Sequence, residues 1–179
     1  MDEKMLQKAQ KILSENEESK IQILEFTLAS YADINHILGD RKADYILIDI
    51  GVNLEHFKDP SRGFSIKSNA DLDMRYNQNA TKSASTIINS YSLQELSKIF
   101  QEYGDFAEKK ADELAQAICK ERKHSPIQDT FGLKTILNSC GLGEKAAAVI
   151  FQAIRVETND ELENLKKFLE VFPDCLTSG

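Results

Sequence analysis

Apolar residues recur every three or four positions along most of the chain, a spacing typical of amphipathic helices. Polar residues and glycines interrupt this spacing, so the pattern predicts several separate helices. The predicted helices span Glu3–Leu13, Tyr31–Leu38, Ser92–Gly104, about Phe106 to Lys123, Thr130 to about Cys140, and Glu144–Phe172, the last as one helix or two abutting ones. Two short apolar runs, Ile21–Leu24 and Tyr45–Ile50, predict β-strands.

The segment from Tyr45 to Tyr76 is the most informative part of the chain. It opens with the second predicted strand, carries Asp49 near the end of that run, and continues without helical or strand periodicity. Long irregular segments are usually functional or disordered. An acid at the carboxyl end of a parallel strand lies where open α/β sheets bind their ligands, so Asp49 is a candidate site residue.

Several groups of residues, in a fixed order, carry a resemblance to a known family. The first group is Asp49-Ile50-Gly51-Val52, Asp59-Pro60-x-Arg62-Gly63-Phe64-Ser65 and Leu72-Asp73-Met74-Arg75; the second is Phe151-Gln152-Ala153-Ile154-Arg155 with Asn159-x-Glu161-Leu162; the third and weakest is Tyr103-Gly104 ahead of Ala117-Ile118 and the basic run from Lys120 to His124. In this order and spacing the chain resembles the RsmH (MraW) family over nearly its whole length. No single piece is diagnostic, but the ordered set is specific.

The resemblance implies a fold and an activity. That family methylates the exocyclic amine of a cytidine in the decoding centre of small-subunit ribosomal RNA, using S-adenosylmethionine. We therefore expect an α/β protein with an incomplete Rossmann-like class I methyltransferase sheet and a mostly helical inserted domain. Residues 1–80 and 144–179 would form the partial methyltransferase domain, and residues 81–143 the insertion. Small-subunit ribosomal RNA is the expected partner and the cytoplasm the expected location.

Three residues occupy positions at which the resemblance implies contact with the cofactor. Tyr31 would pack on the adenine, with core packing as the alternative. Asp49 would contact the cofactor at the strand end and is the best candidate for a catalytic residue, with a turn-forming or capping Asp as the alternative. His56 stands where relatives carry a cofactor-contacting Gln, although a solvent-exposed loop histidine is the interpretation that we favour.

The net charge of −7 argues against tight binding to naked RNA, because phosphate neutralisation usually dominates such affinity. An RNA function must therefore rest on a local basic patch. Arg62 and Arg75 are candidates, with loop bracing as the alternative. Lys120, Arg122 and Lys123 form a second candidate group, with a solvated helix face as the alternative.

The sequence also departs from the family pattern. It has no glycine-rich turn of the kind that lets the backbone approach the cofactor closely. In a doubly wound sheet, the two predicted strands would not be neighbours, and each would expose unpaired edges. The basic residues that precede Thr-Phe-Gln in relatives are replaced by Lys145-Ala146-Ala147-Ala148-Val149.

These departures lead us to expect a chain that is incomplete and inactive alone. It would act with a separately encoded amino-terminal half, or as a homodimer. The alternative is a non-catalytic RNA-binding or ribosome-assembly remnant, or a gene fragment. Cys119, Cys140 and Cys175 are widely spaced and form no Cys-x-x-Cys pair, so we expect no metal site. No apolar run approaches the length of a membrane span, and we expect no membrane partner.

Overall fold

The structure, a computed structural model, describes residues 3–15, 27, 29–50, 56–57 and 59–177. The chain divides into two compact units. We call the first the terminal unit; it comprises Met1–Asp49, Tyr76–Asn79 and Leu162–Gly179. We call the second the central unit; it comprises Ile50–Arg75 and Ala80–Glu161.

The terminal unit contains two helices from the first part of the chain. Helix α1 spans Glu3–Glu15, which confirms the first predicted helix. A 3₁₀ turn over Tyr31–Asp33 leads directly into helix α2, Ile34–Leu38. The chain leaves α2 at Gly39 with φ of +58°, a left-handed conformation that glycine adopts at low cost, so the predicted end of this helix is confirmed.

Helices α3 to α7 belong to the central unit; they are Ala84–Ser90, Leu93–Glu102, Glu108–Glu121, Thr130–Ser139 and Glu144–Thr158. A capping box starts helix α4: the Ser92 hydroxyl accepts from the Glu95 backbone N–H, and the Glu95 carboxylate accepts from the Ser92 backbone N–H. Apolar side chains on the inward faces form the core, with the largest of them Ile87, Leu96, Phe100, Leu114, Ile118, Leu133, Leu137, Ile150 and Ile154.

The long pattern after Glu144 forms two helices. Helix α7 ends at Thr158, and helix α8 spans Glu161–Val171. Asp160 lies between them with φ of +50°, outside the range of a right-handed helix. This turn matters for the candidate site, because the residues on either side of it, Asn159 and Glu161, make contacts there that are described below. Helices α3 to α6 lie within the predicted insertion 81–143, whose boundaries as a domain stay a prediction.

The predicted α/β class is wrong for the part of the chain that the structure describes, since those residues contain no β-strand. Tyr45–Ile50 has no regular secondary structure and forms no ladder, and Tyr45 and Leu47 are 77% and 80% exposed. Among the described residues, β-type pairing is limited to two isolated β-bridges. Ala43 pairs with Leu176 in parallel, and Asp71 pairs with Asp129 antiparallel. The reason is that apolar composition predicts burial, whereas a strand also needs a neighbouring strand for its hydrogen bonds. The other predicted strand, Ile21–Leu24, lies outside the described residues.

None of the helices that the structure describes is both long and apolar enough to span a bilayer.

Asn89 joins helix α3 to the loop ahead of α6. Its amide nitrogen donates to the Ile127 carbonyl oxygen at 2.9 Å, and its amide oxygen accepts from the Ile127 backbone N–H at 2.9 Å. The side chain thus satisfies both polar groups of a backbone position whose side chain is buried. No strand is needed to hold this loop in place.

Replacing Asn89 with Ala should lower the free energy of unfolding by about 2 kcal/mol, because two buried backbone groups of Ile127 lose their partner. Urea unfolding followed by circular dichroism measures the change. Asn138→Ala, an exposed position in α6, is the matched control and should cost less than about 1 kcal/mol. Equal effects from the two substitutions would contradict this role for Asn89.

Candidate functional site

The site begins with a tight turn at Asp59–Gly63 in the central unit. The Asp59 carboxylate accepts from the Ser61 backbone N–H at 3.1 Å and from the Ser61 hydroxyl at 2.6 Å, which starts the 3₁₀ turn Pro60–Arg62. Gly63 ends that turn with φ of +69°. A Cβ on Gly63 would lie 2.3 Å from the Asp71 carbonyl oxygen. Glycine is therefore required both for the backbone conformation and for the close approach of the next segment.

Arg62 joins this turn to the Leu72–Arg75 segment. Its backbone oxygen accepts from the Met74 N–H at 3.0 Å, and its buried guanidinium donates from Nη2 to the Arg75 carbonyl oxygen at 2.7 Å. The guanidinium carbon also lies 5.7 Å from the centroid of the Phe64 ring. Two segments that the sequence separates by about a dozen residues are thus held as one unit.

Asp73 and Arg75 form a two-pronged ion pair within the same segment. Nε of Arg75 lies 2.6 Å from Asp73 Oδ1, and Nη2 lies 3.0 Å from Oδ2. Burial alone would raise the pKa of Asp73, but the hydrogen bonds and charge of Arg75, together with the charge of Arg62, hold that pKa below its usual value. The hydrogen bonds to Asp73 raise the pKa of Arg75 above its usual value. Nη1 of Arg75 donates to the Ala80 carbonyl oxygen at 2.6 Å.

The end of helix α7 holds the segment from another direction. Nδ2 of Asn159 donates to the Met74 carbonyl oxygen at 2.8 Å and to the Arg155 carbonyl oxygen at 2.9 Å. Arg155 forms its own paired contact with Glu161, at 2.8 Å from Nε and 3.1 Å from Nη2. Met74 has φ of +56°, a costly conformation for a non-glycine residue, and it is held from both sides by Arg62 and Asn159.

These segments surround one cavity of about 490 Å³. Its apolar lining comes from Phe57, Phe64, Met74 and Phe151. Lys67, Gln152 and Arg155 supply polar groups. The volume falls within the roughly 300–1,000 Å³ typical of small-ligand sites, and so does the combination of aromatic walls with a few polar groups.

His56 lies against this cluster. The expectation of a solvent-exposed loop histidine is wrong, because the side chain is buried and its ring stacks on Phe64 with centroids 5.2 Å apart and planes 20° apart. The physical reason is that an imidazole ring can bury its flat faces against an aromatic ring, which a polarity scale does not record. Its contact with a cofactor stays a prediction.

Tyr31 and Asp49 belong to the terminal unit. The Tyr31 ring meets the Phe168 ring edge to face, with centroids 5.9 Å apart, and Phe168 in turn stacks on Phe172 at 5.3 Å. Asp49 is exposed near the end of the Tyr45–Ile50 segment. The contacts of both residues with a cofactor, and the catalytic role of Asp49, stay predictions.

The residues predicted to contact RNA fall into two groups: the arginines form hydrogen bonds within the protein, and the lysines are exposed. Arg62 and Arg75 brace the loop through the contacts above. Arg122 braces α3, because its guanidinium donates to the carbonyl oxygens of Ile88 and Tyr91. Lys120 and Lys123 are exposed to solvent. Contact of each of these five residues with RNA stays a prediction.

Gln152, Arg155 and Asn159 were not predicted as site residues. In the sequence they stand out only as part of the family-like segments. Their signal is spacing: Arg155 and Asn159 lie four positions apart and share a helix face, and Gln152 lies three positions before Arg155. No group of three metal-binding side chains occurs among the described residues.

Comparison with known proteins gives a consistent result. The sequence profile of the MraW methylase family matches residues 1–179. A protein of Christiangramia forsetii named ribosomal RNA small subunit methyltransferase H is 39% identical over 170 residues, covering 90% of this chain and 56% of the relative. Proteins of the same name from Fusobacterium nucleatum and Cytophaga hutchinsonii are 38% and 42% identical, covering 90% and 79% of this chain and 52% and 48% of their own lengths. The chain thus spans about half the length of these curated relatives.

Gly63→Ala should destabilise the protein more than Gly141→Ala. Both glycines have positive φ, +69° and +77°, so both substitutions carry the backbone cost of roughly 1–2 kcal/mol. Only at Gly63 would the new Cβ meet a backbone oxygen, since nothing lies within 4 Å of a Cβ at Gly141. Thermal and urea unfolding of the two variants compare the costs directly. Similar losses would mean that the approach of the Asp71 carbonyl oxygen is easily relieved.

Asp73 should make stability depend on acid pH. The pKa of its carboxyl is lower in the folded protein than in the unfolded chain, so its contribution is complete above the unfolded pKa and is lost as pH falls through the folded pKa. Asp73→Asn should therefore cost roughly 2 kcal/mol near neutral pH and progressively less in acid. Urea midpoints measured from pH 7 down to acid pH test this, with the exposed Asp40→Asn as the control. A constant cost at every pH would contradict it.

Proposed function

Because the chain belongs to the MraW methylase family, we propose that it acts in the methylation of small-subunit ribosomal RNA. S-adenosylmethionine is the proposed methyl donor, and the exocyclic amine of a cytidine in the decoding centre is the proposed acceptor. We further propose the cytoplasm as its location. The names of the curated relatives support the RNA substrate.

The observation that carries this proposal is the convergence of the family-like segments. Arg62, Phe64, Met74, Phe151 and Arg155 come from three separate stretches of the sequence. Hydrogen bonds join the first two stretches, and the Asn159 amide joins the third to Met74. All three border the same cavity. An ordered motif whose pieces are far apart in sequence and meet around a cavity is what a shared binding site requires.

The described residues do not by themselves fit the methyl donor. The imidazole of His56 is buried, and its ring stacks on Phe64. The sequence offers no glycine-rich turn after a strand for the carboxypropyl and ribose groups. We therefore derive no step of the reaction through the donor, and assign the central cavity to the RNA side of the reaction.

Methyl transfer to an aromatic amine needs an oriented acceptor nitrogen and a site that excludes water. The lone pair of that nitrogen is delocalised into the pyrimidine ring, so an oxygen that accepts a hydrogen bond from the amine would help to orient it. We propose the Asp49 carboxylate of the terminal unit for this role, on the family resemblance alone. The apolar walls of the cavity, Phe64, Met74 and Phe151, would limit access of water to a bound base.

Transfer of a radioactive methyl group from S-adenosylmethionine to unmethylated small ribosomal subunits tests the proposed function. We expect no transfer and no calorimetric binding of the donor with this chain alone, because its described residues do not fit that group. Adding the part of the Christiangramia forsetii relative that this chain does not match should restore both. An Asp49→Asn variant should then lose about a hundredfold in rate, as expected for a misoriented acceptor.

Asp40→Asn provides the matched control, because Asp40 is exposed in the loop that follows α2. The intact relative serves as the positive control. Failure of the mixture to transfer methyl groups under conditions in which the intact relative does so would contradict the proposed activity. Tight binding of S-adenosylmethionine by the chain alone would contradict our assignment of the cavity to the RNA side.

A further inference from the structure

The central cavity combines flat apolar walls with cations at one place in an acidic protein. Phe57 is 45% exposed and meets the buried Phe64 at 6.3 Å between ring centroids, with planes at 61°. Because Phe64 is engaged on one side by His56, Phe57 is the aromatic ring with surface available to a ligand. Bases stack on aromatic rings regardless of their sequence, since every base presents a flat face.

Cations cluster around the same opening. Lys67 is exposed and lines the cavity. Nζ of Lys134 lies 3.3 Å from the carbonyl oxygen of Ile66, another lining residue. Lys145 precedes Ala148 and Gln152 by three and seven positions in α7, so these three exposed residues share one helix face. Glu144 and Glu161 offset part of this charge through pairs with Lys134 and Arg155.

The local excess of positive charge contrasts with the net charge of −7 over the whole chain. An acidic protein that binds RNA must concentrate its cations where the phosphates lie. A cavity with apolar walls beside those cations does not suit duplex RNA, whose bases are stacked and paired inside the helix. It suits a single strand from which one base is turned outward.

We propose that the central cavity binds one unpaired nucleotide of a single-stranded RNA segment. The base lies against Phe57, the Gln152 side-chain amide meets the polar edge of the base, and Lys67 contacts a neighbouring phosphate. Lys134 and Lys145 extend the cationic surface along the strand. This inference rests on the proposed function for the identity of the RNA as substrate, and it adds which residues hold the nucleotide.

The Gln152 amide suits the edge of a pyrimidine. It offers both a donor and an acceptor, and cytosine presents an amine donor beside a ring nitrogen and a carbonyl that accept. Uracil presents the reverse pattern at two of those atoms. Because the Gln152 amide can rotate to exchange its donor and acceptor, Gln152 alone would give only a modest preference for cytosine over uracil.

Fluorescence anisotropy with a short labelled single-stranded RNA that contains cytidine tests the proposal, using the full chain. Phe57→Ala should weaken binding about tenfold, the loss expected for one base-stacking contact. Phe131→Ala is the matched control, because Phe131 is 43% exposed on α6 and lines no part of this cavity. Gln152→Ala should weaken binding and reduce any preference for cytidine over uridine, whereas Gln116→Ala on α5 should not.

Lys67→Ala should make the plot of log binding constant against log salt concentration less steep by about 0.7, the value for one phosphate contact on a single strand. Lys98→Ala, exposed on α4, should leave the slope unchanged. The double variant Lys120→Ala, Lys123→Ala tests whether the second basic group contributes to the same salt dependence. If that variant flattens the slope while Lys67→Ala does not, the RNA lies on the other surface and the proposal is wrong.

A second measurement does not depend on the folding of any variant. An oligonucleotide with 5-iodocytidine should, on irradiation, crosslink to the peptide that contains Phe57. Crosslinking only elsewhere, or equal affinity for Phe57→Ala and Phe131→Ala, would overturn the proposal. RNA binding that depends on the cavity, without methyl transfer in the reconstituted mixture, would refute the proposed activity alone. Methyl transfer in the mixture with no effect of Phe57, Gln152 and Lys67 would refute this inference alone.

Discussion

The buried guanidinium of Arg62 is the constraint on which the candidate site depends. A cation removed from water is costly unless hydrogen bonds and opposite charge compensate for it. Arg62 donates to the Arg75 carbonyl oxygen and lies near the face of Phe64, while the Asp73 carboxylate supplies negative charge to Arg62 and Arg75 together. Both segments must therefore fold together, since the contacts that compensate for Arg62 come from residues a dozen positions away.

The carboxyl-terminal end of helix α7 also holds the Leu72–Arg75 segment in place. The Glu157 carboxylate accepts from the Tyr91 hydroxyl at 2.8 Å and pairs with Lys82. Burial raises the pKa of Tyr91, and the hydrogen bond to Glu157 raises it further, so the phenol stays protonated and remains a donor. This contact joins the end of α3 to α7 two residues before Asn159, whose amide holds the Met74 carbonyl oxygen. The unusual backbone of Met74 is thus maintained by residues that lie far from it in sequence.

Local periodicity predicted most of the helices and their inward faces but missed helix α3, Ala84–Ser90. Leu96 and Phe100 lie four positions apart, and both are fully buried. Periodicity could not predict pairing between distant segments. Tyr45–Ile50 has the apolar composition of a buried strand, yet no described segment forms a ladder with it. The bond from Asn159 to Met74 spans 85 residues, and the periodicity of neither segment predicted it.

The distribution of charge limits where the proposed RNA substrate could bind. The net charge of −7 repels phosphate from most of the surface, so the proposed RNA contact requires a place where cations outnumber carboxylates. Arg62 and Arg75 use their guanidinium groups within the loop, and their contact with RNA stays a prediction. Their contribution is positional: they set Phe64 and Met74 as the cavity walls, while exposed Lys67 and Lys145 remain for contact with solvent and phosphate. Arg62 and Arg75, which belong to the family-like segments, thus build the site, whereas Lys67 and Lys145 lie outside those segments and are exposed.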